Sequence, residues 1–133
     1  MPLAVLVVDV DAFKSVNDRF GHPVGDGVLV KVAEVFASGT RSRDLVARLG
    51  GDEFVVLLDG LAADAARRRA TDMLERLGRV DWADLADGLD VSISIGLARG
   101  SYADPGPLFD RADRALYETK RRGGGGVTVA AEG

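Results

Sequence analysis

From Leu3 to Val8 every side chain is apolar, three of the six are valine, and the run stops at Asp9. A continuous, β-branched stretch of that length suits a strand covered on both faces. Between Gly25 and Phe36 the apolar positions Val28, Leu29, Val32, Val35 and Phe36 recur at helical spacing, with Gly39 as a stop. Residues 45–49 and 54–58 are strand-like segments around Gly50-Gly51-Asp52-Glu53, where paired glycines supply the positive φ of a tight connection. The pattern there predicts a β-hairpin. A second helix is expected over 62–77, with Ala66, Ala70, Met73, Leu74 and Leu77 on one side and Arg67-Arg68-Arg69 mostly on the other. After an irregular segment around Trp82, residues 91–95 alternate as Val-Ser-Ile-Ser-Ile, a strand with one polar face. Leu108, Ala112, Ala115 and Leu116 place a last helix over 107–122, Gly123 to Gly126 break it, and 127–130 form a candidate edge strand.

Strand, helix, strand, strand, helix, strand is the order of a split βαβ, ferredoxin-like α/β (α+β) domain, here with an added helix and strand and a mainly antiparallel sheet. The length of 133 residues fits one domain spanning 1–133, large enough to bury about two thirds of its unfolded surface without crosslinks. There is no internal repeat or linker.

Composition removes whole classes of chemistry. The chain has no cysteine and one histidine, His22, which excludes thiolate zinc sites, iron–sulfur clusters, cysteine nucleophiles and multi-histidine metal sites. His22 is expected to have a structural role in its loop. Acidic residues outnumber basic ones, 21 to 17, for a formal charge of -4, so bulk charge does not favour nucleic acid or anionic membrane. Anionic ligands must then be held by local groups or by metal. The run from Leu3 to Val8 is too short to cross a bilayer, and no basic segment precedes it, so the expectation is a cytoplasmic domain without membrane contact.

Two acidic clusters stand out, Asp9 with Asp11 at the end of the first strand and Asp52 with Glu53 in the hairpin turn. The topology brings both near the middle of one sheet. Carboxylates held close repel unless a cation joins them, and such oxygen ligands suit Mg²⁺ or Mn²⁺ together with phosphate oxygens. Gly51 would allow close backbone approach. The plainer reading is that acids at strand ends and turns are simply solvated.

Gly50-Gly51-Asp52-Glu53-Phe54 resembles the signature of the GGDEF domains, diguanylate cyclases that condense two GTP into cyclic di-GMP. The resemblance runs along the chain in order. Residues 9–22 are similar to the family's DxDxFKxxND..GH block and Gly25-Asp26 to its following GD; Ser94-Ile95-Gly96 matches its SIG strand, and residues 112–120 its ADxALYxxK helix.

Site roles follow from that resemblance. Asp9, the Val10 carbonyl and Asp52 would hold the metals, with Glu53 beside them, and Asp52 or Glu53 would take the proton of the attacking ribose 3′-hydroxyl. Asn17 and Asp26 would recognise guanine, whose N1–H and N2 amino group suit a carboxylate; adenine would leave Asp26 unpaired. Without the family, both are ordinary turn and helix-capping residues. Phe13 and Lys14, the FK of the first block, belong to the expected substrate site with Gly51, and Lys14 and Lys120 would contact phosphate. Arg41 and Asp44 stand at the spacing of the family's RxxD inhibitory site, where product binds; a solvated charged loop is the alternative.

Two departures accompany the resemblance. The family usually has an arginine four residues beyond the second lysine, and here that position is Gly124, leaving Arg121 or Arg122 as candidate substitutes. The helix and DxLTxLxNR segment that usually precede the first strand are also missing. One site holds one GTP while the product has two equivalent phosphodiester bonds, so the resemblance implies a homodimer about a twofold axis, controlled by an upstream sensor or regulatory domain. The competing reading is a regulatory module that keeps the fold and binds GTP or cyclic di-GMP without turnover.

Overall fold

The computed structural model describes residues 2–103 and 105–131. Its centre is β1 (Pro2–Val10), flanked by antiparallel partners on both sides, β3 (Glu53–Asp59) and β4 (Ile93–Ser101). Strand β2 (Leu45–Gly50) pairs with β3, and β5 (Val127–Val129) adds to β4 as the parallel neighbour, giving the order β2-β3-β1-β4-β5. Among the described residues four α-helices accompany the sheet, α1 (Phe13–Phe20), α2 (His22–Ser38), α3 (Ala63–Gly78) and α4 (Pro105–Arg121), with a short 3-10 turn at Trp82–Asp84. This is the mixed α/β architecture with a mainly antiparallel sheet expected from the order of elements.

The continuous apolar run of β1 is explained by the two layers it separates. Ala4, Leu6, Val8 and Val10 pack into a core with Val28, Val32 and Phe36 of α2 and Met73 and Leu77 of α3. Leu3, Val5 and Val7 face the other way, onto Leu108, Ala112 and Leu116 of α4. Alternation with period 2 therefore brings Asp9 out on the α4 side, at the strand's end.

Three boundaries differ from the sequence pattern. The first helical region begins earlier and is broken in two at Gly21 (φ +93), so His22 opens α2 instead of lying in a loop. Helix α1 is short and its charged residues dilute the periodic signal, although Phe13, Val16 and Phe20 carry helical spacing. Strand β4 starts at Ile93 but runs six residues past Ile95, through Gly96 and Gly100, where alternation is lost. The reason is helix proximity: a Cβ on Gly96 would lie 2.1 Å from the Ala112 carbonyl and 2.2 Å from the Leu116 nitrogen. Gly96 lets α4 sit directly on the sheet.

Candidate active site

Asp9 is delivered by β1 and Asp52 by the β2–β3 turn, and the ladder decides that they meet. Asp9 is the register partner of Glu53, and the Val10 N–H donates to the Asp52 carbonyl across 3.3 Å. The turn itself needs Gly50 and Gly51 at φ +148 and +51, a region that strains other residues. Arg48 fastens it by donating Nε to the Gly51 carbonyl at 2.8 Å. Beneath, Phe54 is buried and stacks edge-to-face on Phe36 with ring centroids 5.9 Å apart, fixing the hairpin to α2.

The charges gathered there are unbalanced. Lys120, from the last turn of α4, places Nζ 2.6 Å from Asp9 Oδ2, while Asp9 Oδ1 is buried and has no hydrogen-bond partner. Burial, followed by hydrogen bonding to and repulsion from Asp9, pushes the Asp52 carboxyl up to about 6, against the opposing pull of Lys120. Burial and then the nearby charges of Asp113 and Asp9 raise Glu53 as well. Among the described residues no three carboxylate or imidazole side chains form a preformed metal cage. An ion here would draw its remaining oxygens from backbone, water and bound phosphate, the usual habit of Mg²⁺. The unpartnered Asp9 oxygen and the raised Asp52 fit such an ion.

Asn17 projects from α1 against Gly25 of α2 so closely that a Cβ on Gly25 would stand 1.8 Å from Asn17 Oδ1, and that oxygen is buried without a partner. Asp26, the next residue, is exposed and lines a cleft of about 460 Å³ with Leu29, Val30, Ala33, Val46, Arg48 and Phe54. Phe13 packs partly into the core, and Lys14 beside it is exposed at the start of α1, after Ala12 in a left-handed turn (φ 52). Asp9, Asp52 and Lys120 thus meet at the end of β1, while Asn17 of α1 packs on Gly25 next to Asp26 of α2 and Lys14 is exposed at the start of α1.

The family description "Diguanylate cyclase, GGDEF domain" matches residues 1–125. The chain belongs to the GGDEF domain family. Diguanylate cyclase A of Treponema denticola is 37% identical over 130 residues, covering 96% of this chain and 35% of that protein. The chain spans about a third of the length of the curated relatives it matches. Among solved structures, the GGDEF domain of TpbB (YfiN) from Pseudomonas aeruginosa superposes with a TM-score of 0.86 at 41% identity, over 99% of this chain and 84% of that one. The GGDEF domain of DgcB from Caulobacter crescentus, solved in complex with cyclic di-GMP, gives 0.88 at 29% identity over 96% and 77%.

Within this GGDEF domain the Arg41–Asp44 motif occupies the opposite end of β3. Glu53 and Asp59 are the first and last of the 7 residues of β3, about 20 Å apart along the strand. Asp44 has no exposed side-chain surface and accepts from Arg41 N, Nε and Nη2 at 2.8, 3.1 and 2.8 Å, from Asp59 N at 3.2 Å and from Arg69 Nη2 at 3.3 Å. Burial alone would raise this carboxyl, but the hydrogen bonds from Arg41 and the Asp59 backbone outweigh it and hold it well below the usual carboxylate range. Arg69 also donates to the Gly39 carbonyl, and Arg41 to the Asp59 carbonyl.

Three site features were not anticipated. Asp11 does not join Asp9; its carboxylate accepts from Ser92, Ser94 and Gly125. Asp113 faces Glu53 from α4, seven residues before Lys120, and that two-turn spacing was readable in the helix motif. Gly124 sits at φ +76 with Asp11 against it, while the candidate substitutes are engaged elsewhere, Arg121 with Glu118 and Arg122 with Thr128.

Proposed function

We propose that this domain catalyses the condensation of two GTP into cyclic di-GMP and two pyrophosphates, with Mg²⁺ or Mn²⁺, between two copies facing each other about a twofold axis. The observation that carries the reading is the Asp9–Asp52 pair, two facing carboxyls with one buried oxygen left unpartnered. Asp9, the Val10 carbonyl and Asp52 would hold the ions, with Glu53 alongside. The ions would neutralise charge on the α-phosphate and acidify the 3′-hydroxyl.

The chain's own groups do the rest. Lys120 and Lys14 orient the triphosphate, Lys120 from its position on Asp9. Asn17 and Asp26 select guanine, since a base unable to donate to Asp26 and Asn17 leaves polar groups unpaired. Glu53 or Asp52, both raised toward proton uptake, accepts the proton of the 3′-hydroxyl. The 3′-oxygen of each nucleotide then bonds to the α-phosphorus of the other and pyrophosphate leaves, twice per product. The bond count requires the homodimer. Cyclic di-GMP acts back at Arg41 and Asp44, where product must exchange for bonds that Asp44 already makes. Control by a sensor region elsewhere in the polypeptide, in the cytoplasm, belongs to the same proposal.

Incubation with GTP and Mg²⁺ at high protein concentration, followed by separation of nucleotides, tests the activity. Cyclic di-GMP formation that disappears in Asp52→Ala supports it, and its absence from the unsubstituted protein overturns it. Gly124 favours a second reading, a GTP- or cyclic di-GMP-binding regulatory module, because a phosphate-binding arginine is missing there. Calorimetry separates the two: a module binds nucleotide without turnover.

A further inference from the structure

We propose, resting on the cyclase reading, that Asp11 is a positioning residue that holds the phosphate-binding Lys120 in register with Asp9. The two aspartates stand two residues apart and have different fates. Asp11 Oδ1 accepts from Ser94 Oγ at 2.6 Å, and Oδ2 from Ser92 Oγ at 2.7 Å and from the Gly125 N–H at 2.9 Å. Its own N–H donates to the Ser92 carbonyl at 2.9 Å, and Gly125 N–H also reaches Ser94 Oγ at 3.2 Å. One carboxylate thus joins the end of β1 and the start of β4 to the turn that closes α4.

That turn is built onto Asp11. Gly123 and Gly124 donate back to the Lys120 and Thr119 carbonyls, ending the helix, and a Cβ on Gly124 would stand 2.9–3.0 Å from the Asp11 carboxylate. With φ at +76, glycine is the residue this close seat accepts. The position that lacks the family's arginine is therefore where the chain turns over Asp11.

Lys120 reaches Asp9 on a flexible four-carbon stem, so its ammonium position depends on where the last turn of α4 is held. Thr119 ties that turn to β4 through the Ile95 carbonyl at 2.9 Å. Asp11 ties it to β1, the strand that carries Asp9. Losing Asp11 frees the helix end relative to the aspartate its lysine must meet.

Two measurements test this. Calorimetric binding of a non-hydrolysable GTP analogue with Mg²⁺ is compared across Asp11→Ala, Lys120→Ala and the double variant. Each single change is expected to weaken binding about tenfold, and the double variant to bind within about twofold of Lys120→Ala alone. Reductive methylation of the metal-free protein reads Lys120 directly, with Lys31 as internal reference. Lys120 should react faster in Asp11→Ala while Lys31 is unchanged. Asp11→Asn, which keeps the shape and replaces one of the two acceptor oxygens with a donor amide, carries the same cycle if the alanine variant does not fold. Full affinity without Asp11, additive losses in the double variant, or unaltered Lys120 labelling would overturn the assignment. If the unsubstituted protein takes up no analogue, the cyclase reading fails and the labelling still decides the role of Asp11.

Discussion

At one end of β3, the Asp59 N–H joins two arginines in satisfying the buried Asp44 carboxylate; at the other, Asp52 and Glu53 stand against Asp9 and Asp113 with Lys120 as counter-charge. Both are clusters of ionisable groups gathered at the ends of the same strand. Their electrostatic states are opposite: the first lowers its carboxyl far below the ordinary range, and the second raises two carboxyls above it. A cluster that has found its partners within the fold contributes stability. A cluster left with excess negative charge and an unpartnered buried oxygen is completed by something that binds. The distinction separates a cluster closed within the fold, which a ligand must open, from one that the fold leaves open.

Removing Asp52 sharpens the contrast most. Asp52→Ala is expected to reduce cyclic di-GMP formation at least about a thousandfold, because it takes away the proposed metal ligand and proton acceptor together. In the same variant, chemical denaturation without metal should show no loss of stability, since a repelling carboxyl has gone. Retained turnover would break the comparison at its functional end.

Asp44→Ala probes the clamp. It strips both arginines and the Asp59 N–H of their shared acceptor, and urea denaturation should reveal a loss of about 2 kcal/mol. Turnover at low product concentration should change little, while sensitivity to added cyclic di-GMP should fall. An unchanged denaturation midpoint would show that the network is idle.

Gly96→Ala tests whether the α4 side of the sheet positions the site. The added methyl would collide with helix backbone, which cannot step aside like a flexible side chain, so a destabilisation of about 1–3 kcal/mol is expected, measured by thermal unfolding. Because α4 carries Lys120, nucleotide affinity should fall with it. Wild-type affinity in a destabilised Gly96→Ala would mean that the helix tolerates displacement without effect on the site.

How much of this was legible beforehand depends on the kind of signal. The β1 run, the hairpin and the spacing of α2, α3 and α4 were readable because burial on a regular element imposes a period. Glycine-rich β4 was half-hidden, since Gly96 answers to the approach of α4 and not to alternation. The acids at 9, 52 and 53 were recognisable as chemistry, yet nothing local told Asp9 from Asp11. Their separation depends on Ser92, Ser94 and Gly125, more than eighty residues away. Likewise, Arg41 and Asp44 were visible as a pair, whereas the closing hydrogen bonds come from Asp59 and Arg69 through tertiary contact.

The smallest expected effect is a pH dependence, and it sets the two ends of β3 directly against each other. Asp52 titrates ordinarily near 3.8 and is raised to about 6 in the fold, so its contribution to stability is present below about 3.8 and lost as pH rises through 6. Glu53 acts in the same direction. Asp44 has the opposite sign: its contribution is present above about 3.8 and is lost as pH falls toward its lowered value. The metal-free protein should therefore melt highest at about pH 4, between these two losses, and its melting temperature should drop by a few degrees from about pH 4 to about pH 6.5. Mg²⁺ with a GTP analogue should reduce that drop or reverse it, because the ion binds the ionised form that the empty fold disfavours. Asp52→Asn should flatten the alkaline slope and leave the acid limb, governed by Asp44, in place. An alkaline decline that survives unchanged in Asp52→Asn would show that the raised carboxyl is not the group the fold resists ionising.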